Sequence, residues 1–284
     1  MFTLPKNVLY PVDFSELSSA VWPAVAAMSQ ELGAPVTLLH ALDVKRLDQA
    51  AVPGSLDASR EQMRERLQRF PTPGLEIQNV QRELIQGPIA ASIVGRAANM
   101  EAPLIMMAVG RHTRFRHLLR GSVSAAVLRD ATCPVWIGTH VEEKRHAPTG
   151  VCSVVCAIGM GSHTPGILQV ASEFGKQFRA ALHVVHSVRG IDPRFPSRAA
   201  DRAHAFLVDE AREKFPVHAQ RAGVAAPLEI VEAVGLVNGI VGAVAQHRAD
   251  LLIIGRGVMR GLFGRLGKNA NELISRSPCP ILSI

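Results

Sequence analysis

Aromatic residues are scarce in this chain: 5% of 284 residues, with one Tyr and two Trp. Platforms that hold single-stranded nucleic acid stack bases on several exposed aromatics. The net charge of +7 is therefore read as solubility and a general preference for anions, not as a nucleic-acid surface. Cysteine is scarce too, with only Cys133, Cys152, Cys156 and Cys279. They form no CxxC, and no histidine spacing of a zinc module accompanies them, which disfavours a disulfide or metal framework. Cys133 and Cys279 each precede a proline and an apolar strand, so buried free thiols are expected there. Cys152 and Cys156 stand four apart, on one side of a single strand. No apolar run reaches the ~18 residues of a membrane span. The start, MFTLPKNVLYPVDF, lacks the basic region, apolar core and cleavage site of a signal peptide. A cytoplasmic protein without membrane contact is expected. GxSxG, HExxH and GxxxxGK[ST] are all missing, so no nucleophile, metalloprotease or P-loop set is present.

What is present is a core-forming composition, 48% hydrophobic, at a length that suggests two domains. The domains repeat. VLYPVD at Val8 and VVCAIG at Val154, LLHALD at Leu38 and VVHSVR at Val184, and CPVWI at Cys133 and CPILSI at Cys279 are each 146 apart. Repeats of this length are two copies of one domain: residues 1–140, a polar linker 141–150 with Pro148 and Gly150, and residues 151–284.

In the first copy, strands are expected at Val8–Val12, Val36–Leu42, Ile77–Leu84, Leu104–Val109 and Val135–Ile137. Helices are expected from Ser15 to about Leu32, then at Asp57–Phe70, Ile89–Asn99 and Ser122–Asp130. Gly33 caps the first helix and Pro88 opens the third. In the second copy the strands are Val154–Ile158, Leu182–Val188, Leu228–Val234, Leu251–Ile254 and Ile281–Ile284. Its helices are Pro165–Phe178, Ala199–Phe215, Val237–His247 and Lys268–Arg276. Alternating strands and helices with apolar strands predict, in each copy, an α/β domain with a five-stranded parallel sheet, doubly wound and covered on both faces. The third strand is the least apolar and belongs near an edge.

Asp13 ends the first strand, directly before the helix that Ser15 caps. Ligands of open α/β sheets sit beyond the carboxyl ends of the strands, so Asp13 is placed to accept hydrogen bonds from a nucleobase or ribose. An Asp at this position also suits a turn or cap, and both readings stand. His183 and His186 lie three apart in one strand and point to opposite faces, so they cannot grip one metal. His40 and His186 are repeat equivalents and read as polar core or strand-end residues.

The segment after the fourth strand reads MMAVGRHTRFRHLLRGSVSAAVLRDATCPVWI in one copy and LLIIGRGVMRGLFGRLGKNANELISRSPCPILSI in the other. With LYPVDFSELS and LLHALD, this resembles the universal stress protein family in its tandem form, over nearly the whole chain. The resemblance implies two flavodoxin-like (Rossmann-like) domains. It implies a nucleotide site in which an Asp ends the first strand and a G-x2-G-x9-G-[ST] loop cradles phosphate. Glycine backbones and a helix N-terminus suit that anion. Pro11, Val12 and Asp13 then stand at the base and ribose end, Ala41 at the backbone position that meets adenine, and Gly121, Ser122, Val123 and Ser124 at the phosphate turn. Two registers of the loop remain open. With Gly110 as the first glycine, Thr113 replaces the second. With the spacing to Gly121 held, Ala108 and Arg111 replace both. Arg111, Arg114, Arg116 and Arg120 crowd this loop, as phosphate contacts or as a solvated basic face.

The second copy is degenerate. Gly159 stands where Asp13 stood, and Gly267 is followed by Lys268 and Asn269 instead of hydroxyls. Gly257, Gly261 and Gly264 remain, with one residue missing from the family spacing. The resemblance thus implies a stress-response regulatory module, not an enzyme, binding at most one ATP or ADP, in the first domain, with Mg²⁺ only as ATP brings it. A scaffold acting through protein contacts and a weak ATP hydrolase are the alternatives. It also implies pairing of the two domains along their last strands, Val135–Ile137 and Ile281–Ile284, or a homodimer.

Overall fold

A computed structural model describes residues 3–43, 55–70, 79–109, 123–139, 150–191, 197–256 and 268–284. The chain divides into two compact units, Pro5–Thr149 and Gly150–Ile284, the latter with Met1–Leu4.

The first unit comprises β1 (Asn7–Pro11), α1 (Glu16–Leu32), β2 (Val36–Leu42), α2 (Ser55–Arg69), β3 (Val80–Gln86), α3 (Ile89–Ala98), β4 (Pro103–Val109), α4 (Val123–Asp130) and β5 (Val135–Thr139). Its strands are parallel in the order β3-β2-β1-β4-β5, the doubly wound sheet expected. β3 is outermost, as its weak apolar character requires. Val8, Leu9 and Tyr10 are consecutive and fully buried, which only a sheet covered on both faces allows.

The second unit comprises β6 (Ser153–Ala157), α5 (Thr164–Phe178), β7 (Ala181–Arg189), α6 (Arg198–Ala222), β8 (Leu228–Ala233), α7 (Leu236–Gln246), β9 (Leu251–Ile254), α8 (Lys268–Arg276) and β10 (Ile281–Ser283). Its parallel order is β8-β7-β6-β9-β10.

Three expectations are corrected. The third strand starts at Val80 rather than Ile77 and ends at Gln86. Ile77 itself lies outside the described residues. Arg82 in β3 donates to the Leu67 carbonyl in the last turn of α2 and to the Phe70 carbonyl just beyond it, tying the strand to the end of that helix. Helix α6 passes through Pro216 and runs on to Ala222 rather than stopping at Phe215. Proline removes one helical N–H and usually breaks a helix. Here Val208, Ala211, Phe215 and Ala219 are buried at one helical spacing across it, so packing carries the helix through. Among the cysteines, Cys279 is buried as expected and Cys156 is buried too, but Cys133 is half-exposed and Cys152 exposed. Cys152 precedes β6 instead of lying within it. Burial pushes the Cys156 thiol up to about 12, so it stays protonated and inert.

Candidate functional site

The site is built where β1 gives way to α1. Tyr10 anchors the corner: its buried hydroxyl donates to the Ser18 carbonyl at 2.7 Å. Ser15 is the N-cap, as expected, and its Oγ accepts from the Ser18 backbone N–H at 3.2 Å. Asp13 lies just before that cap and is exposed. One of its oxygens, Oδ1, accepts from the Ser15 N–H at 3.0 Å and the Ser15 hydroxyl at 2.6 Å. The Ser18 hydroxyl donates to the same oxygen. Partial burial works to raise the Asp13 carboxyl, but the Ser15 and Ser18 hydroxyls and the backbone N–H groups outweigh it, and Asp13 lies below its usual range. It is ionised at neutral pH and can only accept. Among the described residues, Oδ2 has no partner. Asp13 is thus both turn-former and open acceptor, so the two readings of its role are compatible.

β2 supplies the neighbouring wall. Pro11 pairs with Leu39, and the Val12 N–H donates to the Leu39 carbonyl at 2.8 Å, bringing Val12 and Asp13 level with His40 and Ala41. The His40 Nδ1–H donates to the Val12 carbonyl at 2.6 Å. That partner can only accept, so the neutral ring carries its proton on Nδ1. Pro11, Val12, Asp13 and Ala41 therefore converge at adjacent carboxyl strand ends. Val123 and Ser124 open α4, the helix that follows β4, the other neighbour of β1. Gly110, Arg111, Gly121 and Ser122 lie outside the described residues.

Sequence reasoning missed Ser18 as a carboxylate partner, although the spacing Asp13-x-Ser15-x-x-Ser18 carries the signal. It also missed Phe14. This residue has φ 60, a left-handed conformation that costs a non-glycine residue roughly 1–2 kcal/mol. Its ring lies 4.6 Å from the His40 ring and 6.3 Å from Phe70, with the Arg66 guanidinium 4.5 Å above it.

The second unit keeps the frame and changes the chemistry. His186 Nδ1–H donates to the Ile158 carbonyl at 2.9 Å, the counterpart of His40 and Val12. Thr164 stands where Ser18 stood, buried in both cases. With Gly159 in place of the aspartate, its hydroxyl donates to the Gly159 carbonyl at 2.7 Å. His183 faces the other side of β7, its ring stacked 3.8 Å from that of His247. His247 Nε2 in turn bonds Glu229 at 2.6 Å. Burial, then the neighbouring His247, hold His183 below its ordinary value against the pull of Glu229. No group of three or more potential metal ligands occurs among the described residues.

This geometry sits on a chain that matches a family model described as the universal stress protein family twice, over residues 5–138 and 153–284. The chain belongs to the universal stress protein family. It carries the family domain in tandem, as the repeat indicated. A universal stress protein of Methanocaldococcus jannaschii is 26% identical over 139 residues, 47% of this chain and 82% of that protein. A universal stress protein structure from Archaeoglobus fulgidus covers 98% of this chain and 96% of its own at 21% identity, with a TM-score of 0.68. A structure of a protein of unknown function from Pseudomonas aeruginosa covers 99% and 92% at 16% identity, with a TM-score of 0.63. These two likenesses show the fold. Among the described residues, no helix of this universal stress protein is long and apolar enough to cross a membrane.

Proposed function

We propose that the first unit binds one adenine nucleotide, ATP or ADP, and that the protein acts as a stress-response regulatory module rather than an enzyme. The observation that carries this reading is the Asp13 carboxylate. Its Oδ1 takes three donors while Oδ2 has no partner among the described residues, in an exposed residue at the strand end next to the one that carries Ala41. An acceptor-only group fixed in this way selects a ligand that presents hydroxyl or amino donors, as a ribose and an adenine do. The residues present fit such a ligand at its nucleoside end. Phosphates would extend toward the start of α4, where Val123 and Ser124 stand. Any Mg²⁺ would arrive with those phosphates. The ionised Asp13 serves the nucleoside end, so it is not the base of a hydrolase.

The second unit favours a different contribution. Its lost carboxylate and redirected Thr164 hydroxyl suit a domain that works through protein contacts. Pairing of the last strands of the two domains belongs to the same proposal, since unpaired strand edges invite association. Deleting Pro280–Ile284 should then make the chain dimerise or aggregate, as read by light scattering. An unchanged mass and stability would argue for independent domains.

The direct test is to denature the purified protein and analyse the released small molecules. Adenine nucleotide released from the wild type and absent from Asp13→Ala supports the reading. A protein that releases none, and shows no heat on titration with ATP, ADP or adenosine, is a scaffold only.

A further inference from the structure

We propose that Phe14 is the positioning residue of the first-unit site: its ring, seated against His40, holds the left-handed turn that aims Asp13. This deepens the nucleotide-binding reading and rests on it only for the ligand. Four observations carry it.

Phe14 is a bulky residue in a conformation that favours glycine, φ 60, immediately after the carboxylate. Strained residues persist where their surroundings over-determine them. The surroundings here are aromatic and cationic: His40 at 4.6 Å, Phe70 edge-on at 6.3 Å, and Arg66 over the ring at 4.5 Å. Cation–π contact and ring stacking both favour this seat. His40 is itself fixed by its bond to the Val12 carbonyl, so the ring rests on a rigid wall of the same strand pair.

The turn then delivers three donors onto one Asp13 oxygen. The left-handed step at Phe14 folds the chain back so that the Ser15 N–H, the Ser15 hydroxyl and the Ser18 hydroxyl all reach Oδ1. Among the described residues the other oxygen keeps no partner, so it is left for a ligand.

The repeat supplies an internal control. The left-handed cap of α1 at Gly33, φ 61, recurs at its equivalent in the second unit, Arg179, φ 53. The fold itself therefore demands that one, even from an arginine. The left-handed step at Phe14 does not recur at its equivalent, Met160. Met160 follows a glycine in place of the aspartate, and there the Thr164 hydroxyl bonds a backbone carbonyl instead. The strained turn is present in the unit with the carboxylate and absent in the unit without it.

The test reads the carboxylate directly. Carbon-detected NMR would follow the titration of Asp13 in the full chain, in wild type, Phe14→Met and Phe14→Tyr, with adenosine affinity measured in parallel. Phe14→Met installs the residue of the second unit and is close in volume, so the fold survives. In Phe14→Met the Asp13 midpoint is expected to rise toward the ordinary carboxylate value of about 3.9, and adenosine affinity to fall about tenfold. Phe14→Tyr keeps the ring and should keep both. A purely structural role would lower the melting temperature of Phe14→Met while leaving the Asp13 midpoint where it was. That result overturns the proposal. A midpoint that rises in a protein that binds no adenosine even as wild type would uphold Phe14 and remove the nucleotide.

Discussion

At the scale of single residues, the function proposed for the first unit rests on Asp13. Removing it by Asp13→Ala deletes one charged acceptor, worth roughly 1–3 kcal/mol, and adenosine and ATP should weaken about equally. Calorimetric titration of both ligands checks this; a loss confined to ATP would place Asp13 at the phosphates. The same carboxylate also makes a pH prediction. Its folded value is lowered by the Ser15 and Ser18 donors, so ionised Asp13 favours the folded state. That contribution is fully present above the unfolded value of about 3.9 and is lost as pH falls through the lower folded value. The stability difference between wild type and Asp13→Asn should therefore be constant from pH 7 to pH 5 and shrink below about pH 4. Urea unfolding across that range measures it. A difference that grows on acidification would mean that Asp13 is not held by its hydroxyl donors.

At the scale of elements, the strands and most helices could be read from the chain because their apolar runs have no other use. β9 and α8 have the expected ends, and β3 was placed at an edge by its weak hydrophobicity. What escaped were features fixed by contacts distant in sequence. Pro216 looks like a stop signal, and only the burial of Ala219 beyond it shows why α6 continues. Asp13 and His40 were visible as chemistry, whereas the Phe14 turn joining them depends on a ring from one strand end meeting an imidazole from the next. Two substitutions test these packing arguments. Pro216 is exposed, so Pro216→Ala restores a helical N–H at little steric cost and should stabilise the protein by roughly 1–3 kcal/mol. Gly239 in α7 is the opposite case. A Cβ there would lie 2.3 Å from the Ser187 hydroxyl and 3.2 Å from both Ser187 Cβ and Val231 Cγ2. The helix approaches β7 and β8 too closely to admit a methyl group. Gly239→Ala should destabilise by about 1–3 kcal/mol through overpacking, despite the gain in helix propensity. Chemical unfolding midpoints read both; a stabilised Gly239→Ala would show that Ser187 turns aside freely.

At the scale of the whole chain, the two units share a scaffold and differ in chemistry. Both tie the end of their first strand to an imidazole of their second, His40 to Val12 and His186 to Ile158. Both end their first helix with a left-handed cap, at Gly33 and Arg179. Those bonds maintain a sheet and say nothing about ligand. The carboxylate, the Ser15 hydroxyl and the Phe14 turn have no counterparts at Gly159, Gly161 and Met160. The proposed function therefore predicts one nucleoside site per chain, and calorimetry should return a stoichiometry of one. A sharper form asks what it would take to make a second. Gly159 is open, since a Cβ built there meets nothing within 4 Å, so the first side-chain atom of Gly159→Asp has room. The new carboxylate would find the Thr164 hydroxyl committed to a backbone carbonyl at 2.7 Å, no side-chain donor at Gly161, and no strained turn to aim it. It should therefore remain near its ordinary titration value and leave the stoichiometry at one. A second equivalent of adenosine bound by Gly159→Asp would show that the carboxylate alone makes the site and that the surrounding turn is dispensable.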